Sequence, residues 1–292
     1  DDITAAAAGA AYNDKNVARA NRIDYTGLTL TGTDAGNYTL AATTAEGAGA
    51  ITPRALTLGA VAAQTKTYDG NTAADASKFR ATLAGVVNGE ENSVSATAAG
   101  AAYNDKNVAR ANTVHYTGVA LTGTGTANYT IAGTAQGAGR ITPKQLNLAL
   151  AGGARFDKTY DGTANVTQSL TKGGNYTLDG FVGTEGTGIE LSSATGKYTD
   201  KNAGTDKNVR FDGLRLTGAG ADNYATDKTT LTGTGTIARR ALTLGAVEAQ
   251  TKTYDGTRAA DASKFRARLN HAVAGDDITA AAAGAAYNDK NV

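Results

Sequence analysis

Chemistry in this chain would have to come from a short list of side chains. The 292 residues hold two histidines, His115 and His271, and no cysteine, methionine or tryptophan. Without cysteine there is no disulfide framework, thiolate metal site or thiol nucleophile. In the internal repeat set out below, His115 aligns with Asp24 and Arg210, and His271 aligns with Gly85. Neither histidine recurs, so neither anchors a repeated centre, and no nucleophile elbow supports a Ser–His–Asp arrangement. The reading is of a chain without catalytic residues, metal or cofactor.

Oxygen donors are more plentiful. Asp105-Lys106-Asn107 and Asp200-Lys201-Asn202, with the acidic pairs Glu90-Glu91 and Asp276-Asp277, could be offered to calcium. Calcium takes about six to eight oxygens, and a lysine inside the loop competes with it. No EF-hand or nonapeptide calcium repeat is present. Asx-turns and solvated loops are the simpler reading. Asn37-Tyr38-Thr39, Asn128-Tyr129-Thr130, Asn165-Val166-Thr167 and Asn175-Tyr176-Thr177 fit the glycosylation acceptor pattern. However, the third repeat reads Asn223-Tyr224-Ala225, which keeps the ring and loses the acceptor. Tyr38, Tyr129 and Tyr224 are therefore read as repeated core tyrosines. The threonines of residues 122–126 lack the regular short-period ladder of an ice-binding face.

The clearest repeated triplet is Tyr-Asp-Gly, at Tyr68-Asp69-Gly70, Tyr160-Asp161-Gly162 and Tyr254-Asp255-Gly256, with spacings of 92 and 94. As a turn it needs no ligand. The tyrosine packs at the core edge, the aspartate caps its own turn and the glycine takes positive φ. Asn-Tyr returns with spacings of 91 and 95, and Tyr-Asn-Asp-Lys-Asn-Val stands at 12–17, 103–108 and 287–292. Ile51-Thr52-Pro53 and Ile141-Thr142-Pro143 return as Ile237-Ala238-Arg239. Residues 54–81 and 240–267 differ only at Ala62/Glu248, Asn71/Thr257 and Thr72/Arg258. The middle unit diverges more and carries an insertion around residues 202–207. A period this long is too long for a solenoid coil and suits a small domain in tandem.

The elements that position these residues read as strands. Leu28-Thr29-Leu30-Thr31, Val119-Ala120-Leu121-Thr122 and Leu214-Arg215-Leu216-Thr217 alternate in the period of a half-buried strand. Asp-Gly and Asn-Gly pieces punctuate them. The alanine run of residues 5–11, copied at 280–286, is too short for a stable helix and is placed on a strand. About seven short strands per unit predict an all-β chain of tandem, immunoglobulin-like β-sandwich domains in an extended array. The divisions are a C-terminal half repeat at 1–54, complete repeats at 55–143 and 144–239, and an N-terminal half repeat at 240–292. Residues 1–17 are identical to 276–292, so the chain reads as a window on a longer array. Two half repeats predict head-to-tail complementation, with residues 252–265 against residues 28–51 of a neighbouring copy.

Net charge is +1, which argues against a nucleic-acid or membrane-surface binder. No apolar run reaches the roughly 18 residues of a membrane span, and no signal peptide is visible.

Taken in order, Lys-Thr-Tyr-Asp-Gly, Gly-Asp-Asp-Ile, Asp-Lys-Asn-Val, Tyr-Thr-Gly-x-x-Leu-Thr-Gly, Asn-Tyr-Thr-Leu and Ile-Thr-Pro resemble the YDG-type repeat domains. Those domains occur in large bacterial surface proteins of the filamentous-haemagglutinin type. The resemblance covers essentially the whole chain. It implies a secreted or surface-anchored Gram-negative adhesin in which such units form a stalk or filament. Neighbouring copies would be the partners, with a host or matrix surface as a further one. The other reading is a multivalent module for glycans or host protein, which would need exposed aromatic rings.

Overall fold

The computed structural model describes residues 2–289; the last three residues of the Tyr-Asn-Asp-Lys-Asn-Val copy at 287–292 lie outside them. The described chain is all β, with short strands and five single-turn 3-10 segments. It divides into two compact units, Asp1–Pro143 and Lys144–Val292. Each holds one half repeat and one complete repeat.

In the first unit the complete repeat carries ten strands between Arg54 and Thr142. One layer is a four-stranded sheet in the order Gly100–Tyr103, Thr113–Thr117, Thr134–Thr142, Gln64–Thr67. The first two pairings are antiparallel. The last is parallel, with Ile141 opposite Lys66 and Thr142 opposite Thr67. The strand entering Tyr-Asp-Gly is thus zipped to the strand carrying Ile-Thr-Pro, and the repeat is closed. Ile-Thr-Pro is therefore more than a linker. Ile141 and its counterpart Ile237 are each only 1% exposed, and proline, lacking an N–H, ends the ladder.

The other layer pairs Thr57–Val61 with Ala81–Ala84 and Ser95–Thr97 with Ala120–Thr122, and pairs Arg54–Ala55 in parallel with Tyr129–Thr130. Leu56, Val94 and Tyr129 pack there with Leu83, Val86 and Leu121. Alternation sends Val114 and Tyr116 inward and leaves His115 exposed, as the pleat requires. The glycine of Leu-Thr-Gly is required by geometry. Gly32, Gly123 and Gly218 all take positive φ, and a Cβ there would overlap the carbonyl oxygens of Asp2, Ser93 and Gly188.

The complete repeat of the second unit has the same order, with Lys158–Thr159 parallel to the closing strand Leu231–Ala238. Its insertion falls in the strand Gly204–Phe211, where the register shifts between Gly204 and Lys207 and Asp206 takes φ 50°. A bulge absorbs extra residues without moving the core ends of the strand.

The half repeats remain open. In the first, the strand Thr44–Ala48 forms the sheet edge where the complete repeat adds Gln64–Thr67. In the last, residues 250–253, the copy of Gln64–Thr67, form no ladder. Leu242 is 38% exposed where its counterpart Leu56 is 5% exposed. The alanine run pairs as expected at Thr4–Ala6 and Gly9–Tyr12, but its copy at 280–286 makes only the single bridge Ala259–Ala286. The strand that should pair with it has no counterpart in residues 240–292.

The two complete repeats fill one core position differently. Buried Gln64 donates to the Tyr116 hydroxyl at 2.7 Å and to the Asp75 carbonyl at 2.9 Å. The Phe79 ring leans on Tyr116 at 4.8 Å. In the other repeat, Phe156 replaces Gln64 and Phe211 replaces Tyr116, and these rings meet at the same 4.8 Å. The ungapped counterpart of Phe79 is Thr171, and Ala101 has become Gly196. A Cβ on Gly196 would overlap the Phe211 ring. The ring has moved from the end of the 3-10 turn Ala76–Lys78 to the stretch just before the strand Lys158–Thr159, and a methyl was removed to admit it. Gly196→Ala should therefore destabilise by about 1–3 kcal/mol as an overpacked core. Urea melts of the whole chain check this; an unchanged midpoint would disprove the packing account.

Candidate functional site

The repeated polar residues converge on two places, a clasp inside each repeat and a contact between consecutive repeats.

The clasp is built on the lysine of Lys-Thr-Tyr-Asp-Gly. Lys66 Nζ donates to Asp69 Oδ1 at 2.7 Å, to the Asn71 carbonyl at 2.9 Å and to Asn71 Oδ1 at 3.0 Å. Lys158 meets Asp161 at 2.7 Å and the carbonyls of Thr163 and Asn165 at 2.8 Å. Lys252 meets Asp255 at 2.9 Å and the Thr257 carbonyl at 3.0 Å. Each ammonium also lies over the tyrosine that opens the Asp-Lys-Asn motif of its repeat: Tyr103, Tyr198 and Tyr287, at 5.4, 5.5 and 5.4 Å. The glycines make the fold-back possible, with φ of 83° at Gly70, 81° at Gly162 and 74° at Gly256. The aspartates accept the amide two residues on, from Asn71, Thr163 and Thr257. The lysine side chain at 158 is only 3% exposed and its donors are filled. Sequence reasoning passed over this lysine, although it stands two residues before the tyrosine in all three copies.

Burial alone would raise the Asp161 carboxyl; the Lys158 ammonium and the Thr163 amide outweigh it and hold it at about 2. Lys252 and the Thr257 amide hold Asp255 at about 2 as well. The aspartates of the Asp-Lys-Asn loops are occupied in the same way. Asp14 and Asp105 accept from the backbone and side-chain amides of Asn16 and Asn107. Asp200 accepts from Asn202 and Lys207. No group of three or more His, Asp or Glu that could hold a metal converges among the described residues.

The repeated tyrosines have unequal places. Tyr129 and Tyr224 are each 5% exposed. The Tyr129 hydroxyl accepts from the Val87 amide at 3.1 Å and donates to Glu90 Oε2 at 2.7 Å. Tyr224 repeats this with the Val182 amide at 3.2 Å and Glu185 Oε2 at 2.6 Å; burial and Glu185 push its hydroxyl up to about 12. Tyr38, expected in the core, is 51% exposed, because residues 2–54 contain no copy of the Val86–Val87 stretch that packs on and bonds to Tyr129. Among the Tyr-Asp-Gly tyrosines, Tyr68 is 2% exposed and Tyr160 is partly buried. Tyr254, expected at the core edge, is 60% exposed, since residues 240–292 contain no copy of the closing strand.

The second place is the junction. In the first unit, Lys15 of the half repeat meets Glu90 Oε1 of the next repeat at 3.3 Å. Asn128 Oδ1 accepts from the Val17 amide at 3.0 Å, and Asn128 Nδ2 donates to Asn16 Oδ1 at 2.9 Å. In the second unit, Lys201 lies 3.8 Å from Asp276 Oδ1 of the following repeat, and the Tyr160 hydroxyl donates to the same oxygen at 2.9 Å. Lys15 and Lys201 hold one place in Asp-Lys-Asn, and Glu90 and Asp276 hold one place in the acidic turn.

The chain is all β, built of small repeated sheets, and within each unit one repeat meets the next through its Asp-Lys-Asn loop and acidic turn. A family model, the YDG domain, matches residues 1–45, 52–137, 142–231 and 238–292, and the chain belongs to that family. No curated protein and no solved structure matches it.

The depressed aspartates set an acid limit. A carboxyl held at about 2 against an ordinary 3.8 contributes stability above pH 3.8 and loses it as pH falls through about 2. Thermal melts should weaken across that window. In Lys158→Met, the Asp161 carboxyl should titrate closer to 3.8 by NMR. A midpoint still near 2 would remove the lysine as the cause.

Proposed function

We propose that the chain is the structural repeat region of a secreted or surface-anchored Gram-negative adhesin of the filamentous-haemagglutinin type, forming an extended stalk or extracellular filament. The observation that carries this reading is the recurrence of one lysine–carboxylate contact at the junction of consecutive repeats in both units. Repeats that meet by the same residues each time add length in equal steps. The chemistry of the repeated positions supports a mechanical role over an enzymatic one. Their lysines and aspartates are committed to turns and ladders, and both histidines stand outside the repeat pattern. Neighbouring copies, met head to tail, are the partners of this reading. Complementation between residues 250–253 of one copy and residues 49–52 of the next would reproduce the parallel ladder of Gln64–Thr67 with Gly139–Thr142. A host or matrix surface is a further partner.

Small-angle scattering on this chain and on an array of twice its length tests the stalk. The maximum dimension should grow in proportion to repeat number. A radius of gyration near the ~19 Å of one compact body of this length would overturn it. Glycan binding with one site per repeat would favour the multivalent binding module instead.

A further inference from the structure

We infer that within each unit the acidic turn of the later repeat is a docking element for the earlier one, joined in the first unit by the asparagine before the core tyrosine. The partner is a second copy of the repeat, and its receiving face is the Asp-Lys-Asn loop and the Tyr-Asp-Gly tyrosine. This deepens the stalk reading and rests on the same junction contacts, but the exchange experiment below reads the docking alone, whereas scattering reads the stalk.

The carboxylate is divided between two repeats. Glu90 Oε2 is held from inside by Tyr129, while Oε1 faces Lys15 of the preceding repeat. Glu185 is held from inside by Tyr224 in the same manner. A buried tyrosine whose hydroxyl is spent on fixing a carboxylate is placing that charge for a neighbour. At the last repeat the carboxylate is the shorter Asp276, and the Tyr160 hydroxyl of the preceding repeat reaches across to it. Packing is close there as well: a Cβ on Gly162 would lie 2.7 Å from Val273 Cγ1 of the docked turn.

The asparagine completes the element. Its side-chain amide makes a reciprocal pair with the preceding repeat, accepting from the Val17 amide and donating to Asn16. This accounts for a pattern that glycosylation does not. Asn37, Asn128 and Asn223 all precede the repeated tyrosine, although the third has lost the acceptor threonine to Ala225. At Asn128 the side chain is used in docking, whether or not a sugar could be added. Each unit displays part of the element. The first half repeat has no Tyr-Asp-Gly, and the last has no Asn-Tyr.

The docking predicts a division of labour under salt. The Lys15 side chain is 79% exposed, so its ion pair is screened and weak. The asparagine bonds join uncharged groups and hold at high salt.

Amide hydrogen exchange on the full chain tests this at Val17, whose hydrogen-bond partner lies 111 residues away. The Val17 amide should be protected in the native chain. In Asn128→Ala it should exchange roughly tenfold or more faster, while the Tyr103 amide, bonded to the Thr72 carbonyl inside its own repeat, keeps its protection. Lys15→Glu, on an exposed loop of the other repeat, gives a variant whose folding is not at stake. It should speed Val17 exchange, and adding Glu90→Lys should slow it again. Val17 exchanging at the rate of an unstructured chain in the native protein would overturn the proposal. So would Val17 protection unchanged in Asn128→Ala.

Discussion

The parallel ladder between the strand that enters Tyr-Asp-Gly and the strand that carries Ile-Thr-Pro is the constraint from which the rest of the repeat follows. It joins Lys66 to Ile141, residues from opposite ends of one repeat, and so decides what counts as a domain. Tyr68 and Tyr160 continue the ladder by donating their amides to Thr142 and Ala238. Directly beyond, the chain must turn away, and the glycine at positive φ with the aspartate-capped turn achieves that. The lysine clasp fixes the turn to the sheet by filling every donor of an ammonium with oxygens of the turn. Where the ladder is missing, as in residues 240–292, the clasp still forms but the tyrosine beside it is exposed. The clasp is therefore local, whereas the burial of the tyrosine depends on closure.

Small residues make closure possible. Gly137 and Gly139 of the closing strand leave no room for a Cβ: one would press on the Val61 side chain and the other on the backbone of Thr113 and the side chain of Val114. Gly137 thus lets the two layers approach each other closely around a thin core, while Gly139 admits the neighbouring strand of its own sheet. A thin core has little spare volume, so an added ring must be matched by a removed methyl. The exchange of Gln64, Tyr116 and Ala101 for Phe156, Phe211 and Gly196 follows that rule. Both solutions satisfy the buried groups, one by a hydrogen bond from amide to hydroxyl and the other by removing both polar partners.

Much of this was legible from spacing. The order of motifs, their period, the all-β character and the positive φ of the Tyr-Asp-Gly glycines follow from residue types and local turn chemistry. The parallel closure was hidden, because alternation within a strand says nothing about which distant strand lies beside it. The lysine of the clasp was visible three times but has no role until the turn folds back over it. Tyr38 and Tyr254 show the same limit from the other side. Their local sequences match those of Tyr129 and Tyr68, yet they are exposed, since burial depends on segments absent from their half repeats. Asn128 was legible only as a glycosylation pattern; its amide bonds to a neighbouring repeat belong to a contact that no local motif encodes.

Tandem copies of nearly one sequence carry a physical hazard, and the middle repeat bears on it. Residues 54–81 and 240–267 are almost identical, so residues 250–253 could zip to the closing strand Thr134–Thr142 in place of Gln64–Thr67. Closure joins the ends of a long stretch of chain and forms late, which leaves time for the wrong partner. The repeat standing between them does not offer the same exchange. Were its opening strand to enter the neighbouring repeat, Phe156 would meet Tyr116 and Phe79 in a site sized for Gln64. The Ala101 methyl would stand where Gly196 makes room for a second ring. In the reverse exchange, Gln64 would face Phe211 and lose the hydroxyl that Tyr116 supplies to its amide. Core divergence between adjacent repeats thus costs neither repeat its own packing, while it penalises every swapped pairing between them.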